Sequence, residues 1–393
     1  MRFLLVTPYT IPDFSGSGIN AFNFARFLAK KGVQVFLLSL NRNMVLKARE
    51  KVEGVNIRRL PYFNKNCLLK VLSLVFILPG YIYYARLSDI VMIYGGHLIA
   101  WELMILFCKI LGKQVIFQSL LNGADDPETI ISCKPVLLKG CYKKIFRKLD
   151  LYHALNTELK ARYLMFVPDA SKIIQNPQGV DTGIFFPVPE EERTALRKSL
   201  GLDLRKLVII TIGSLIPRKG YEEVFRSVAA LDIPFHLLVA GEYRFTGHHF
   251  LGQENEYAGR LFESAKQLLG EHVTFLGGVR DIDRYIKASD IAIFNSHQEG
   301  LPNALLEVMA CGVTPVISEY PGLGGYFIED QINALVFSQP EGLADRIRLL
   351  LRDKRMREHL GSAARASVEK AASFEVVLDL YLEKLADQKV KQC

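Results

Sequence analysis

The sequence predicts an α/β protein of two successive doubly wound domains, and three observations predict it. Short apolar runs fit for buried parallel strands recur along the chain, helical stretches separate them, and a proline- and acid-rich stretch divides the series in two. A chain of 393 residues, half of them apolar, is long enough to bury two cores.

The first series is Phe3–Val6, Val33–Leu38, Asn56–Leu60, Ile90–Tyr94, Val115–Phe117 and Leu151–Leu155, with helical stretches such as Ala21–Lys31 and Ile99–Leu111 between strands. The second is Leu207–Ile212, Phe235–Ala240, Val273–Leu276, Ile291–Phe294 and Thr314–Ile317, with helices such as Tyr221–Ala230 and Ala304–Cys311. The stretch Phe186–Arg193 marks the join. The expected domains are 1–180 and 181–372, and a terminal helix over 373–393 is expected to pack back on the first.

Six cysteines are scattered without C-x-x-C spacing, which suits buried reduced thiols in a cytosolic protein better than zinc or disulfides. The start of the chain reads as a strand, so no signal peptide is expected. The net charge of +8 hides an asymmetry: residues 1–180 hold 24 Lys and Arg against 11 Asp and Glu, or +13, and residues 181–393 hold 25 against 30, or −5. A basic front half suggests an anionic partner, either a membrane face or an acidic acceptor. Nucleic acid is the rival partner, but arginine-rich helices, zinc-finger spacing and RNP-like strands are missing, so none is expected.

The run Cys67–Ala85 is apolar over about 19 residues, close to the length that crosses a bilayer. A spanning helix would part Phe3–Leu60 from Ile90–Tyr94, which should share its sheet. A buried helix is the first expectation and an interfacial helix the second.

Three segments carry the chemistry. In Ser296–Gly312, a helix is expected to start near Pro302 or Asn303, with proline in its first turn and the amides of Asn303, Ala304 and Leu305 open at its positive end. Glu299, beside Gly300, precedes that helix and Glu307 lies about one turn inside it, a placement that lets two carboxylates hold sugar hydroxyls on either side of a diphosphate. In Ile210–Glu223, a strand ends at Gly213, and Arg218 and Lys219 stand at the entrance of the next helix, where cations oppose the helix dipole unless an anion offsets them. Neither a Walker A loop nor a G-x-G-x-x-G fingerprint is present. In Thr7–Asn20, Gly16, Ser17 and Gly18 form a glycine-rich loop whose backbone can approach a phosphate.

Together these segments resemble the retaining glycosyltransferases of family 4. Asn176-Pro-Gln-Gly179-Val180-Asp181 through Pro187 is similar to that family's N-x-G-V-D-x-x-x-F-x-P stretch, and Val273 through Val279 to its V-x-F-x-G-x-V strand. Glu299 to Glu307 fits its E-x7-E signature, followed by Met309-Ala-Cys-Gly312. The resemblance implies a GT-B fold: two Rossmann-like domains facing across a cleft, 1–180 on the acceptor side and 181–372 binding the nucleotide sugar. It implies that Arg218 and Lys219 grip the donor diphosphate, that Gly16 approaches it from the other domain, and that Glu299 orients the transferred sugar. It further implies that Glu307 binds the ribose, that Val279 and Arg280 lie beside the base, and that no metal or other cofactor takes part.

Ser214 stands where many members carry another phosphate-binding arginine, and Gly322–Tyr326 replaces the usual G-G-x-P-E run. Tyr94, His97, Asp125 and Asp126 are acceptor-side candidates, although Asp125-Asp126 equally suits a helix cap before Pro127. The expected protein is a cytoplasmic hexosyltransferase, peripheral at an anionic membrane face. It would use a nucleotide-sugar donor and a glycan, lipid-linked or small-molecule acceptor in cell-surface polysaccharide or glycolipid synthesis. The rivals are a non-catalytic nucleotide-binding scaffold and a nucleotide-sugar hydrolase or epimerase on the same fold.

Overall fold

The computed structural model describes all residues except 13–14, 43, 45, 64–65, 96–99, 243–252, 340 and 393. It divides into two compact units, Met1–Gly179 with Phe374–Cys393, and Val180–Ser373.

The first unit runs β1 (Arg2–Val6), α1 (Gly16–Lys30), β2 (Gln34–Arg42), β3 (Arg49–Val52), β4 (Val55–Tyr62), α2 (Cys67–Arg86), β5 (Ile90–Tyr94) and α3 (Trp101–Ile110). It continues with β6 (Gln114–Ser119), α4 (Pro127–Ser132), α5 (Val136–Arg147), β7 (Leu151–Ala154), α6 (Thr157–Leu164) and β8 (Ile173–Gln175). The second holds α7 (Glu190–Ser199), β9 (Leu207–Ile212), α8 (Tyr221–Ala229), β10 (Phe235–Ala240), α9 (Gln253–Leu269), β11 (Val273–Gly277) and α10 (Ile282–Ala288). Then come β12 (Ile291–Phe294), α11 (Asn303–Ala310), β13 (Thr314–Ser318), β14 (Leu335–Phe337), α12 (Glu341–Arg352) and α13 (Lys354–Ala371). Helix α14 (Phe374–Gln392) follows and belongs to the first unit.

The first sheet has the order β3-β4-β2-β1-β5-β6-β7-β8 and the second β11-β10-β9-β12-β13-β14. Every pairing is parallel except β3 with β4, a hairpin closed by Glu53 and Gly54 at φ 47° and 84°. In both sheets the winding direction reverses once, between β1 and β5 and between β9 and β12. A crevice opens at the carboxyl ends of strands at such a point.

Helix α14 is held by aromatic packing. Phe374 lies 5.2 Å from Phe24 and 5.6 Å from Phe27 between ring centroids, and Tyr381 packs beside them. Gly179, at φ +92°, leaves the space Phe374 needs, since a Cβ there would stand 2.7 Å from its ring. Tyr381 shares a 2.7 Å hydrogen bond with buried His153, whose other ring nitrogen meets Asn176 O at 2.6 Å. Burial pushes that imidazole down to about 4, against the pull of the Asn176 carbonyl.

Helix α2 departs from the first expectation for the apolar run. Ile77, Tyr81, Tyr84 and Ala85 are buried, but Leu68, Val71, Leu72, Val75, Phe76 and Tyr83 are exposed. Gly80 brings the buried side close to the sheet, where a Cβ would meet Leu60 Cδ2 at 2.6 Å. Because α2 links β4 to β5 within one sheet, it lies on that sheet.

Candidate functional site

The loops after β9 and β12, neighbours across the reversal point of the second sheet, meet at a glycine. Gly220 takes φ +58°, and a Cβ there would stand 2.6 Å from the Asn295 carbonyl oxygen, so glycine permits the contact. Asn295 Nδ2 donates to Gly220 O at 2.9 Å, and the His297 amide donates to Arg218 O at 2.9 Å.

These ties place Arg218 and Lys219 on a single carboxylate oxygen. Arg218 Nη1 donates to Glu299 Oε1 at 2.6 Å and to Gln298 O at 2.9 Å, while Lys219 Nζ donates to the same Oε1 at 2.5 Å. Burial raises the Glu299 carboxyl, but Lys219 and Arg218 overcome it and hold the group below the usual carboxylate range. Each cation is thus bound to Glu299 within the fold itself. Gly213 makes room for the lysine tail, since a Cβ there would lie 3.1 Å from Lys219 Cε, and its carbonyl accepts from Tyr221 Oη at 2.6 Å.

Past buried Gly300, α11 opens at Asn303 with Pro302 in the cap position and without a side-chain cap. Proline thus precedes the first turn. The Leu305 amide donates to Pro302 O at 3.2 Å, so it is engaged, contrary to the expectation that it stays open with those of Asn303 and Ala304. Glu307, half-buried, makes no side-chain hydrogen bond or ion pair among the described residues. Burial, with the charge of Asp283 adding to it, pushes its carboxyl up to about 7. Val279 is half-buried and Arg280 exposed in the loop after β11, which leaves the same carboxyl edge of the sheet.

The first unit arranges its candidates differently. Gly16 and Ser17 stand in the first turn of α1 instead of a loop, because the helix starts five residues before the expected Ala21. Gly18 permits this, since a Cβ there would collide with the Tyr9 carbonyl. Tyr94 is buried, and burial raises its hydroxyl far above the ordinary range. Asp125 is buried and accepts the Leu120 and Leu121 amides at 2.9 and 3.0 Å. Burial pushes its carboxyl up to about 7, against those hydrogen bonds. Asp126 caps α4 through the Thr129 amide at 2.9 Å and also accepts the Gly123 amide at 2.8 Å. The helix-cap reading therefore describes Asp126, and both carboxylates brace their own loop. His97 lies outside the described residues.

Sequence reasoning missed a row of neutral polar groups. Val6 pairs with Leu38 and Ile93, so Thr7 follows in register with Ser39 and Tyr94, and Tyr94 pairs with Gln118. Thr7, Ser39 and Gln118 are buried, and Thr7 Oγ1, Ser39 Oγ and both amide atoms of Gln118 have no hydrogen-bond partner among the described residues. A glutamine inside the run Val115–Ser119 was the available signal, since buried polar groups are ordinarily bonded.

These observations define the class as GT-B: two parallel doubly wound units spanning the chain. The structure of Anabaena HepE in complex with UDP and glucose matches with a TM-score of 0.75 over 98% of this chain and 100% of that one, at 16% identity. Sucrose-phosphate synthase from Thermosynechococcus elongatus matches with a TM-score of 0.76 over 100% of both chains, at 18% identity. Residues 192–367 match the family model described as "Glycosyl transferases group 1". The D-inositol 3-phosphate glycosyltransferase of Mycobacterium sp. (strain KMS) is 31% identical over 226 residues, covering 56% of this chain and 48% of its own. The GDP-mannose-dependent monoacylated alpha-(1-6)-phosphatidylinositol monomannoside mannosyltransferase of Corynebacterium glutamicum is 30% identical over 214 residues, covering 51% and 52%. The chain thus spans about half the length of the curated relatives it matches.

Proposed function

We propose that this chain is a retaining, metal-independent hexosyltransferase that moves a sugar from a nucleoside diphosphate onto a glycan or lipid-linked acceptor in the cytoplasm. The observation that carries the reading is the cluster at the reversal point of the second sheet, where Arg218 and Lys219 converge on buried Glu299. Two cations on one carboxylate leave a net positive charge beside the uncapped start of α11, an arrangement suited to a diphosphate.

In the proposed reaction the bond between the anomeric carbon and the diphosphate oxygen breaks, and the acceptor oxygen bonds to that carbon on the same face. The acceptor proton passes to the leaving diphosphate. Charge grows on the diphosphate as the bond opens, and Arg218 and Lys219 stabilise it more at that point than in the bound donor. Glu299, turned by its two cations, receives hydroxyls of the transferred sugar, and Glu307 accepts the ribose diol. The relatives' names support this reading, since both are glycosyl-transferring enzymes and one is named for a GDP-mannose donor and a phosphatidylinositol acceptor.

Calorimetric titration with UDP, GDP and ADP, followed by NMR of the first sugar product, tests the proposal. One nucleotide binding well above the others, with the donor's anomeric configuration kept, is the expected result. An inverted centre ends the retaining mechanism. Donor breakdown or isomerisation without any acceptor would instead establish a hydrolase or epimerase, and binding without turnover a scaffold.

A further inference from the structure

The first unit carries an apolar surface that its own core does not use. Among the described residues α2 is the one helix long and apolar enough to cross a membrane by length and composition, yet 28% of that segment is buried inside the fold. Its exposed residues Leu68, Val71, Leu72, Val75, Phe76 and Tyr83 recur at helical spacing, forming one stripe opposite the face that packs on the sheet. Leu68 is 77% exposed and Val75 64%. Helix α3 packs against both α2 and α5, and Ile110 at its end is 80% exposed. The first turn of α5 then presents Val136 at 83% and Leu137 at 93%. Three neighbouring helices thus each expose apolar side chains, and exposed apolar surface marks interaction sites.

Charge selects the occupant. Helices α2 and α5 contain no Asp or Glu, while α5 carries Lys139, Lys143, Lys144 and Arg147 and α2 carries Lys70 and Arg86. None of these six cations has a carboxylate partner among the described residues. A second copy of this chain would bring the same unbalanced cations against themselves, which opposes self-association. Exposed apolar side chains on helices that also carry these cations match an anionic bilayer, where the aliphatic residues enter the acyl boundary and the lysine heads remain among the phosphates.

We infer that the outer face of α2, α3 and α5 docks this protein on the surface of an anionic lipid membrane. The inference deepens the transferase reading and rests on it only for its purpose: a docked first unit meets lipid-linked acceptors where they reside. The helix lies on the bilayer instead of spanning it, because its inner face is committed to the sheet that joins β4 to β5.

The test is flotation of the full chain with vesicles of phosphatidylcholine containing phosphatidylglycerol, and with phosphatidylcholine alone. The protein should float with the anionic vesicles and be released by salt. Val71→Asp/Val75→Asp and, separately, Leu137→Asp should each weaken partitioning by at least about tenfold. Lys139→Ala/Lys144→Ala should weaken it about fivefold per charge on anionic vesicles only. Leu137→Asp stands on its own if the α2 variant misfolds. Wild-type protein that stays at the bottom of the gradient, or variants that float as wild type does, would overturn the inference. So would a dimer that these substitutions dissociate while flotation is unchanged, since the face would then bind a second copy. Donor affinity measured on the same samples keeps the two readings apart: lost flotation with intact nucleotide binding removes the docking face alone, and the reverse removes the transferase reading alone.

Discussion

The carboxyl edges of the two sheets share a winding pattern and differ in what they gather there. The second unit collects charge: Arg218, Lys219 and Glu299 are bonded together, and Glu307 stands half-buried without a side-chain hydrogen bond among the described residues. The first unit ties Asp125 and Asp126 into backbone amides and leaves neutral groups without partners among the described residues. The contrast teaches that topology makes the crevice and side chains decide its ligand. A charged edge suits a diphosphate, whereas neutral hydroxyl and amide groups suit the hydroxyls of an acceptor. The proposed function places the donor at the second edge and the acceptor at the first on this chemistry.

Lys219→Ala gives the largest expected effect. Removing one positive donor from the proposed diphosphate site should lower kcat/KM by about 10²–10³-fold. Arg218 still pairs Glu299, so circular dichroism should show an intact fold. Full activity would mean that the charged edge is not the donor site.

Glu299→Gln sharpens the same side. The amide keeps the shape but relaxes its hold on two cations, so turnover should fall about tenfold to a hundredfold while nucleotide affinity holds or rises. Equal losses in both would contradict a role at the transferred sugar.

Glu307 supplies a pH test. Its carboxyl is held up at about 7, so below that pH the ribose meets a protonated group. If binding requires the charged form, donor affinity rises by up to about tenfold per pH unit towards 7 and is flat above it. Glu307→Gln should lose this pH dependence and weaken the donor at pH 8. A pH-independent affinity in the wild-type protein would remove Glu307 from the ribose.

Much of this was legible in the sequence because local chemistry and tertiary role agree. Apolar runs such as Leu207–Ile212 and Ile291–Phe294 became β9 and β12 with the expected bounds, and the loops after them carry the expected charges. Other elements depended on partners that no local pattern reveals. Strand β3 is Arg-Glu-Lys-Val, polar and short, and exists by pairing with β4 across the Glu53–Gly54 turn. Helix α1 includes Gly16 and Gly18, poor helix formers that periodicity alone excludes, because the close approach to Tyr9 outweighs propensity. That Glu299 binds both cations could not be read from spacing, since 80 residues separate it from Lys219. The exposed stripe of α2 was hidden for another reason. A helix that is apolar all round reads as buried, and only packing shows which side is left uncovered.

The smallest expected effect tests the neutral edge. Gln118 is fully buried with both amide atoms unpartnered among the described residues, and it neighbours Tyr94 in the row with Thr7 and Ser39. Gln118→Met preserves volume and removes the unsatisfied groups, which should stabilise the fold by about 1 kcal/mol, read as a rise in Tm. A residue kept only for packing would show that gain and nothing more. A residue that serves the acceptor should show it together with a severalfold rise in acceptor KM, and calorimetry should find the nucleotide affinity unchanged. The split matters more than either number, because a glutamine retained at a cost in stability needs a ligand to explain it. If acceptor KM stays fixed while Tm rises, the neutral edge belongs to the core and the acceptor meets the protein elsewhere.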